Sequence, residues 1–217
     1  MMKPILTLLA ALLLAPLAAL HAVELAPAVI YVTDFYRPYA DPDDHFDMAC
    51  VFSMAFQKQI DLRGICLDYT RDGVLDGTEK RGLGDPDIVS VAQLQAITGI
   101  SVPVAVGSSK KLRSPDDAQT DGKPGDLAAA HLILQQLNES PGPVAIVVGG
   151  GCRDVALALL QGRDVFEKKC RGIYWLGSVA EYRDERVLPE ANYKIDPAAF
   201  QTVMMTAPCP LYWMPGF

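Results

Sequence analysis

The chain has 217 residues, half of them hydrophobic, and a formal net charge of −7, with a pI near 4.9. That balance argues against nucleic acid or an anionic membrane surface as partner, since both repel a negative chain. It suits instead a site that gathers carboxylates round a cation, and the hydrophobic half suffices for the core of one ordinary domain.

The first 22 residues, MMKPILTLLAALLLAPLAALHA, carry one lysine, a Leu/Ala run and small residues near Ala22. This is the pattern of a secretory signal peptide. Pro4 and Pro16 interrupt the run and no stop-transfer charges follow, so the expectation is export to the periplasm or beyond, with no stable membrane insertion after cleavage. No later segment stays apolar for the ~18 residues of a membrane span. Residues 23–217 then form a single domain.

Along that domain, short β-branched runs alternate with longer helical ones. AVIYVTD (28–34) reads as a strand and HFDMACVFSMAFQ (45–57) as a helix packed on a sheet. LRGICLD (62–68) is a second strand. IVSVAQLQAITG (88–99) is a helix ended by Gly99 in a left-handed cap. VPVAVG (102–107) is a third strand, and LAAAHLILQQLNES (127–140) a helix. PVAIVVGGG (143–151) is a strand running into glycines, DVALALLQG (154–162) a helix and CRGIYWLGS (170–178) a strand. DPAAFQTVMMTA (196–207) is a helix, and PCPLYWMPG (208–216) a last strand. Runs that are apolar throughout belong to strands covered on both faces, and strand–helix alternation implies parallel strands with right-handed crossovers. The fold class is α/β: one domain with a mainly parallel, doubly wound sheet flanked by helices.

In such a sheet ligands bind outside the carboxyl ends of the strands. Asp34, Asp68, the Gly149–Gly151 run and Gly177–Ser178 should therefore face one crevice. Five aspartates, Asp34, Asp41, Asp43, Asp44 and Asp47, crowd the start of the chain. One of the Asp43–Asp44 pair placed just before a helix is explained as an N-cap. The others repel one another unless donors or a cation compensate, and a hard divalent cation takes several carboxylate oxygens. The residues alone leave both readings open.

The five cysteines, Cys50, Cys66, Cys152, Cys170 and Cys209, are odd in number and lack CxxC spacing. Buried free thiols are the expectation, although export would permit a disulfide. The glycine run lacks the Lys-Ser/Thr of a phosphate loop, and Ser178 lacks a nucleophile-elbow context. His45 reads as a polar surface residue and His131 as a core or helix-face residue. Trp175, Tyr212, Trp213 and Phe217 read as core. Residues 108–126 form a long polar loop, either a solvated excursion or a lid.

YVTD followed by DPDDHFDMA resembles the N-terminal aspartate signature of the inosine-uridine-preferring nucleoside hydrolase family, enzymes that cleave the N-glycosidic bond of ribonucleosides. VAIVVGGGCRDVALALLQGRDVFEKKCRGIYWLGSV and PEANYKIDPAAF are similar to its central and later segments, in order. The resemblance implies that Asp34 and Asp44 hold a Ca²⁺ ion with Asp41 as an acidic neighbour. It implies that Asp43 is the base for the metal-bound water, and that Glu190 and Asn192 bind ribose hydroxyls. The family's Gly-Pro-Leu-Thr-Asn turn is Gly150-Gly151-Cys152-Arg153-Asp154 here, so the ligating backbone carbonyl falls at Arg153.

The first loop is longer than in the family and carries FYRPYA. The family's C-terminal His-Asp pair, which supplies a metal ligand and the leaving-group acid, has no counterpart, and His45 and His131 do not match it. The expectation is thus an exported, C-terminally shortened relative that hydrolyses a ribosyl bond of a small nucleoside or riboside, alone or as a homo-oligomer. The alternative is a catalytically impaired remnant that binds a sugar or nucleoside.

Overall fold

A computed structural model describes residues 26–35, 42–68, 86–178, 181–183 and 186–215. The signal segment 1–22, YRPYA (36–40) with Asp41 behind it, and Phe217 lie outside the described residues. Among the described residues, no helix is long and apolar enough to cross a membrane.

In chain order the elements are β1 (Ala28–Thr33), α1 (Pro42–Phe56), β2 (Asp61–Leu67), α2 (Ile88–Thr98), β3 (Val104–Val106), α3 (Ala128–Glu139), β4 (Val144–Val148), α4 (Arg153–Gln161), α5 (Arg163–Lys169), β5 (Cys170–Leu176), a hairpin of β6 (Glu181–Arg183) and β7 (Arg186–Leu188), α6 (Ala191–Ile195), α7 (Pro197–Thr206) and β8 (Leu211–Met214). Six strands form one sheet in the order β3-β2-β1-β4-β5-β8, and every neighbouring pair is parallel.

Alternate residues of β1 divide between two cores. Ile30 and Val32 enter the layer under α3, α4, α5 and α7. Val29 and Tyr31 enter the layer under α1 and α2. Ile30, Val32 and Ile146 are fully buried, each worth about 1.5–3 kcal/mol of removal from water. This two-sided burial is why the strand sequences show no polar alternation.

Helix ends follow local chemistry. Asp87 caps α2 by accepting from Ser90 N–H at 3.2 Å, and Gly99 closes it at φ 71°, a backbone that side chains beyond glycine rarely adopt. Asp196 caps α7 through Ala199 N–H at 3.1 Å, followed by Pro197 in the first turn.

Several sequence expectations need correction. α1 begins at Pro42, so Asp43 and Asp44 occupy its first turn rather than the loop before it; their carboxylates favour the positive end of the helix, which extends it forward. The short elements α5, α6, β6 and β7 were too brief to leave a periodic pattern. Trp175 is core at 2% exposure, but Tyr212 and Trp213 are 49% and 39% exposed, because among the described residues β8 is an outer strand of the sheet, paired with β5 alone. The 108–126 loop is anchored on one side and solvated on the other: Lys110, Arg113, Ser114 and Asp116 are exposed, while Leu112 N–H donates to Asp196 Oδ2 at 2.9 Å, Gln161 Nε2 to Ala118 O at 2.9 Å and Thr202 Oγ1 to Pro115 O at 2.6 Å, tying it to α4 and α7.

Candidate active site

The chain lays β1, β2 and β3 to one side and β4, β5 and β8 to the other, so the strand order reverses between β1 and β4. Helices on either side of that seam leave a crevice at the strands' carboxyl ends. Asp34 follows β1 there, and the Gly149–Gly151 run follows β4.

A Cβ on Gly150 would collide with the backbone N and carboxylate of Asp34. The glycine is therefore what lets the β4 turn close over that carboxylate. Trp175 Nε1 donates to Gly150 O at 2.9 Å, holding the turn from the β5 side. Asp34 is 5% exposed.

Thr33 points the same way as Tyr31, toward α1, and its hydroxyl donates to Asp44 Oδ1 at 3.4 Å. Asp44 is 6% exposed, and its Oδ2 has no hydrogen-bond partner among the described residues. Burial, and then the neighbouring charge of Asp43, push the Asp44 carboxyl up to about 7; the same two causes raise Asp47. The Tyr31 hydroxyl is raised far above its usual range by burial, with Asp47, Asp44 and Asp34 adding to it. Asp43 is exposed on the first turn of α1, and His45 packs against the Phe35 ring at 4.2 Å between centroids. His131 lies on the exposed face of α3.

On the far wall, Glu190 caps α6. Its Oε2 accepts from Tyr193 N–H at 3.1 Å and from Ser178 N–H at 3.3 Å. Asn192 Nδ2 donates to Leu176 O at 3.0 Å and Gly149 O at 3.4 Å, bridging the ends of β5 and β4. Asp34, Asp44, Glu190 and Asn192 thus stand round the carboxyl ends of β1, β4 and β5, with Asp43 at the rim.

Arg153 opens α4 with its side chain turned inward, 1% exposed. Nε donates to Asp196 Oδ2 at 2.9 Å, Nη1 to Ser108 O at 2.6 Å and Nη2 to Ile195 O at 3.0 Å. Asp68 and Asp154 lie close enough to act on it electrostatically, and Asp154 Oδ1 accepts from Ser108 N–H at 3.0 Å. Burial and then Asp68 push Asp154 up to about 8. This buried cation ties the end of β3, the β4 turn and the α6–α7 junction together. Sequence reading missed it, as it missed Thr33 and the indole of Trp175; only Thr33 had a local signal, the two-residue period that sets it beside Tyr31.

The donor chemistry fits a hard cation. The acidic side chains at the seam, Asp34 and Asp44, offer oxygens, and the buried Oδ2 of Asp44 and the raised carboxyls of Asp44 and Asp47 mark an environment short of positive charge. Among the described residues, no three His, Cys, Asp or Glu side chains group closely enough to hold a metal by themselves. Calcium also accepts hydroxyl, carbonyl and water oxygens, so a site here would draw on those as well.

A family model described as inosine-uridine preferring nucleoside hydrolase matches residues 40–216. No curated protein matches the sequence. Among solved structures, the inosine-uridine preferring nucleoside hydrolase from Bacillus anthracis aligns with TM-score 0.58 and 15% identity, over 87% of this chain and 64% of its own. An inosine-guanosine nucleoside hydrolase aligns with TM-score 0.59 and 19% identity, over 88% and 62%. The type III effector XopQ, complexed with adenosine diphosphate ribose, aligns with TM-score 0.57 and 18% identity, over 90% and 59%. The chain therefore spans 59–64% of the length of these three structures, which share its fold.

Proposed function

This chain belongs to the inosine-uridine preferring nucleoside hydrolase family, and on that premise we propose that it hydrolyses the N-glycosidic bond of a small nucleoside or riboside at the β1–β4 seam. The observation that carries the reading is the convergence of Asp34 and Asp44 with the Gly149–Gly151 turn, opposite Glu190 and Asn192. Asp34 and Asp44 would hold Ca²⁺, with Asp41 and the Arg153 carbonyl as further oxygens. Bound there, the ion would acidify a water and fix sugar hydroxyls.

The chain's own groups divide the remaining work. Asp43, exposed beside the buried pair, accepts the proton of the attacking water. Glu190 and Asn192 bind the ribose hydroxyls and hold the ring while charge develops toward an oxocarbenium-like transition state. Glycine backbone lines the β4 side of the crevice and packs directly on the Asp34 carboxylate, fixing its position. Export to the periplasm or beyond, signalled by residues 1–22, would give it extracytoplasmic ribosides as substrates.

One observation favours a second reading, a binding remnant: Glu190 Oε2 and Asn192 Nδ2 are already engaged with backbone groups. The test is calorimetric Ca²⁺ titration of the purified chain beside an Asp43→Ala/Asp44→Ala variant, with free ribose assayed from inosine, uridine and other ribosides. Ca²⁺ binding and ribose release by the wild type alone support the enzyme. Binding without release supports the remnant, and no Ca²⁺ binding by the folded wild type sinks the metal-dependent mechanism.

A further inference from the structure

Away from the crevice, two thiols meet on the β5–β8 side of the sheet. Cys170 opens β5 and is 8% exposed, within the core layer under α4 and α7. Cys209 sits two residues before β8, half-buried, and packs against that same layer. Ile173 pairs with Leu211, and Ile173 N–H donates to Pro210 O at 2.9 Å. The chain entering β8 therefore runs alongside the first residues of β5. Adjacent strands lie about 4.8 Å apart, inside the separation a disulfide spans, and both side chains face one core. Each thiol lies close enough to the other to shift its ionisation.

We propose that Cys170 and Cys209 are a disulfide-forming pair, oxidised by exchange with a small-molecule disulfide, and that the bond staples the edge strand β8 to the sheet. Cys209 is the more exposed of the two, and Cys170 beside it holds its thiol below the ordinary range, which makes it the attacking group. Its thiolate attacks one sulfur of the external disulfide, forms a mixed disulfide and expels one thiolate, which takes up a proton. Cys170 then loses its proton, attacks the Cys209 sulfur and expels the second thiol. One disulfide is consumed, two thiols are released and one protein disulfide is formed.

The bond has something to hold. β8 is an outer strand of the sheet among the described residues and exposes Tyr212, Trp213 and Met214, the situation in which strands fray or pair with other chains. β8 also braces the crevice wall: Trp213 Nε1 donates to Gly177 O at 2.6 Å and Gly177 N–H to Met214 O at 3.1 Å. Ser178, next in the chain, is the donor to Glu190. Fixing β8 thus firms the support of that carboxylate. An exported chain would meet the oxidising surroundings in which such bonds persist.

The test treats the reduced, folded full chain with oxidised glutathione, at a dose set by complete modification of the exposed Cys50, followed by non-reducing peptide mapping. The expected product is a Cys170–Cys209 linked peptide lacking two hydrogens, with glutathione on Cys50. The midpoint of thermal unfolding should rise by roughly 5–15 °C for a loop of this length, and Cys209→Ser should abolish the rise while Cys50→Ser keeps it. Two outcomes overturn the proposal. Cys170 and Cys209 both remain alkylatable after denaturation, or Cys209 retains glutathione because Cys170 cannot reach it.

Discussion

Replacing Arg153 by methionine removes a buried cation while keeping most of its bulk. The guanidinium, 1% exposed, satisfies Asp196 and the carbonyls of Ser108 and Ile195, and Asp68 and Asp154 lie in its field. Removing one partner of a buried ion pair costs about 3–5 kcal/mol, because the remaining charge stays in a low-dielectric site. That is a large share of the roughly 5–15 kcal/mol that holds an ordinary domain together. For a chain of this size the unfolding midpoint should fall by about 6–20 °C. Urea unfolding followed by tryptophan fluorescence, with both tryptophans on β5 and β8, reads the change. Arg153→Met/Asp196→Asn should recover about 1–3 kcal/mol of the single-variant loss, since asparagine keeps the α7 cap but not the charge. A loss below about 1 kcal/mol for Arg153→Met, or a double variant no better than the sum of its parts, would refute the view that this guanidinium locks the β3, β4 and α6–α7 ends together.

Two further outcomes follow from the same structure. Gly150→Ala must displace the Asp34 backbone or carboxylate; it should cost about 1–3 kcal/mol by overpacking and weaken Ca²⁺ binding in the calorimetric titration, and unchanged stability would show that the turn does not close over Asp34. The second concerns pH: hydrogen bonds from Arg113 hold the Asp117 carboxyl well below the usual range. Its folded pKa lies below its unfolded one, so its contribution is complete above about pH 4 and is lost as pH falls below that. Arg113→Ala should therefore be less stable at neutral pH and decline less steeply on acidification than the wild type. Parallel decline of the two would contradict the assignment.

The parallel sheet was legible because strands covered on both faces are apolar along most of their length, and AVIYV, VAIVV and GIYWL are. The Asp196-Pro197 helix start and the Gly99 stop were legible because caps are settled within a few residues of chain. The place of Asp34 directly after β1 was legible too, because a strand that is apolar to Val32 and then turns polar ends there. α6 and the β6–β7 hairpin were not, being too short for a pattern to repeat. Nor was the exposure of Tyr212 and Trp213, because an edge strand and a central one can share a sequence.

The sequence by itself determined the element types, the direction in which the strands run and the carboxylate chemistry available at their ends, all properties set by neighbours along the chain. Only the tertiary structure decided that β1 and β4 lie side by side, which makes the seam where Gly150 closes over Asp34. The same folding brings Arg153 against Asp196 and Cys170 against Cys209, pairs about forty residues apart. No local propensity encodes those meetings; they follow from how two halves of a sheet pack round a shared core, and the chemistry of the crevice depends on them.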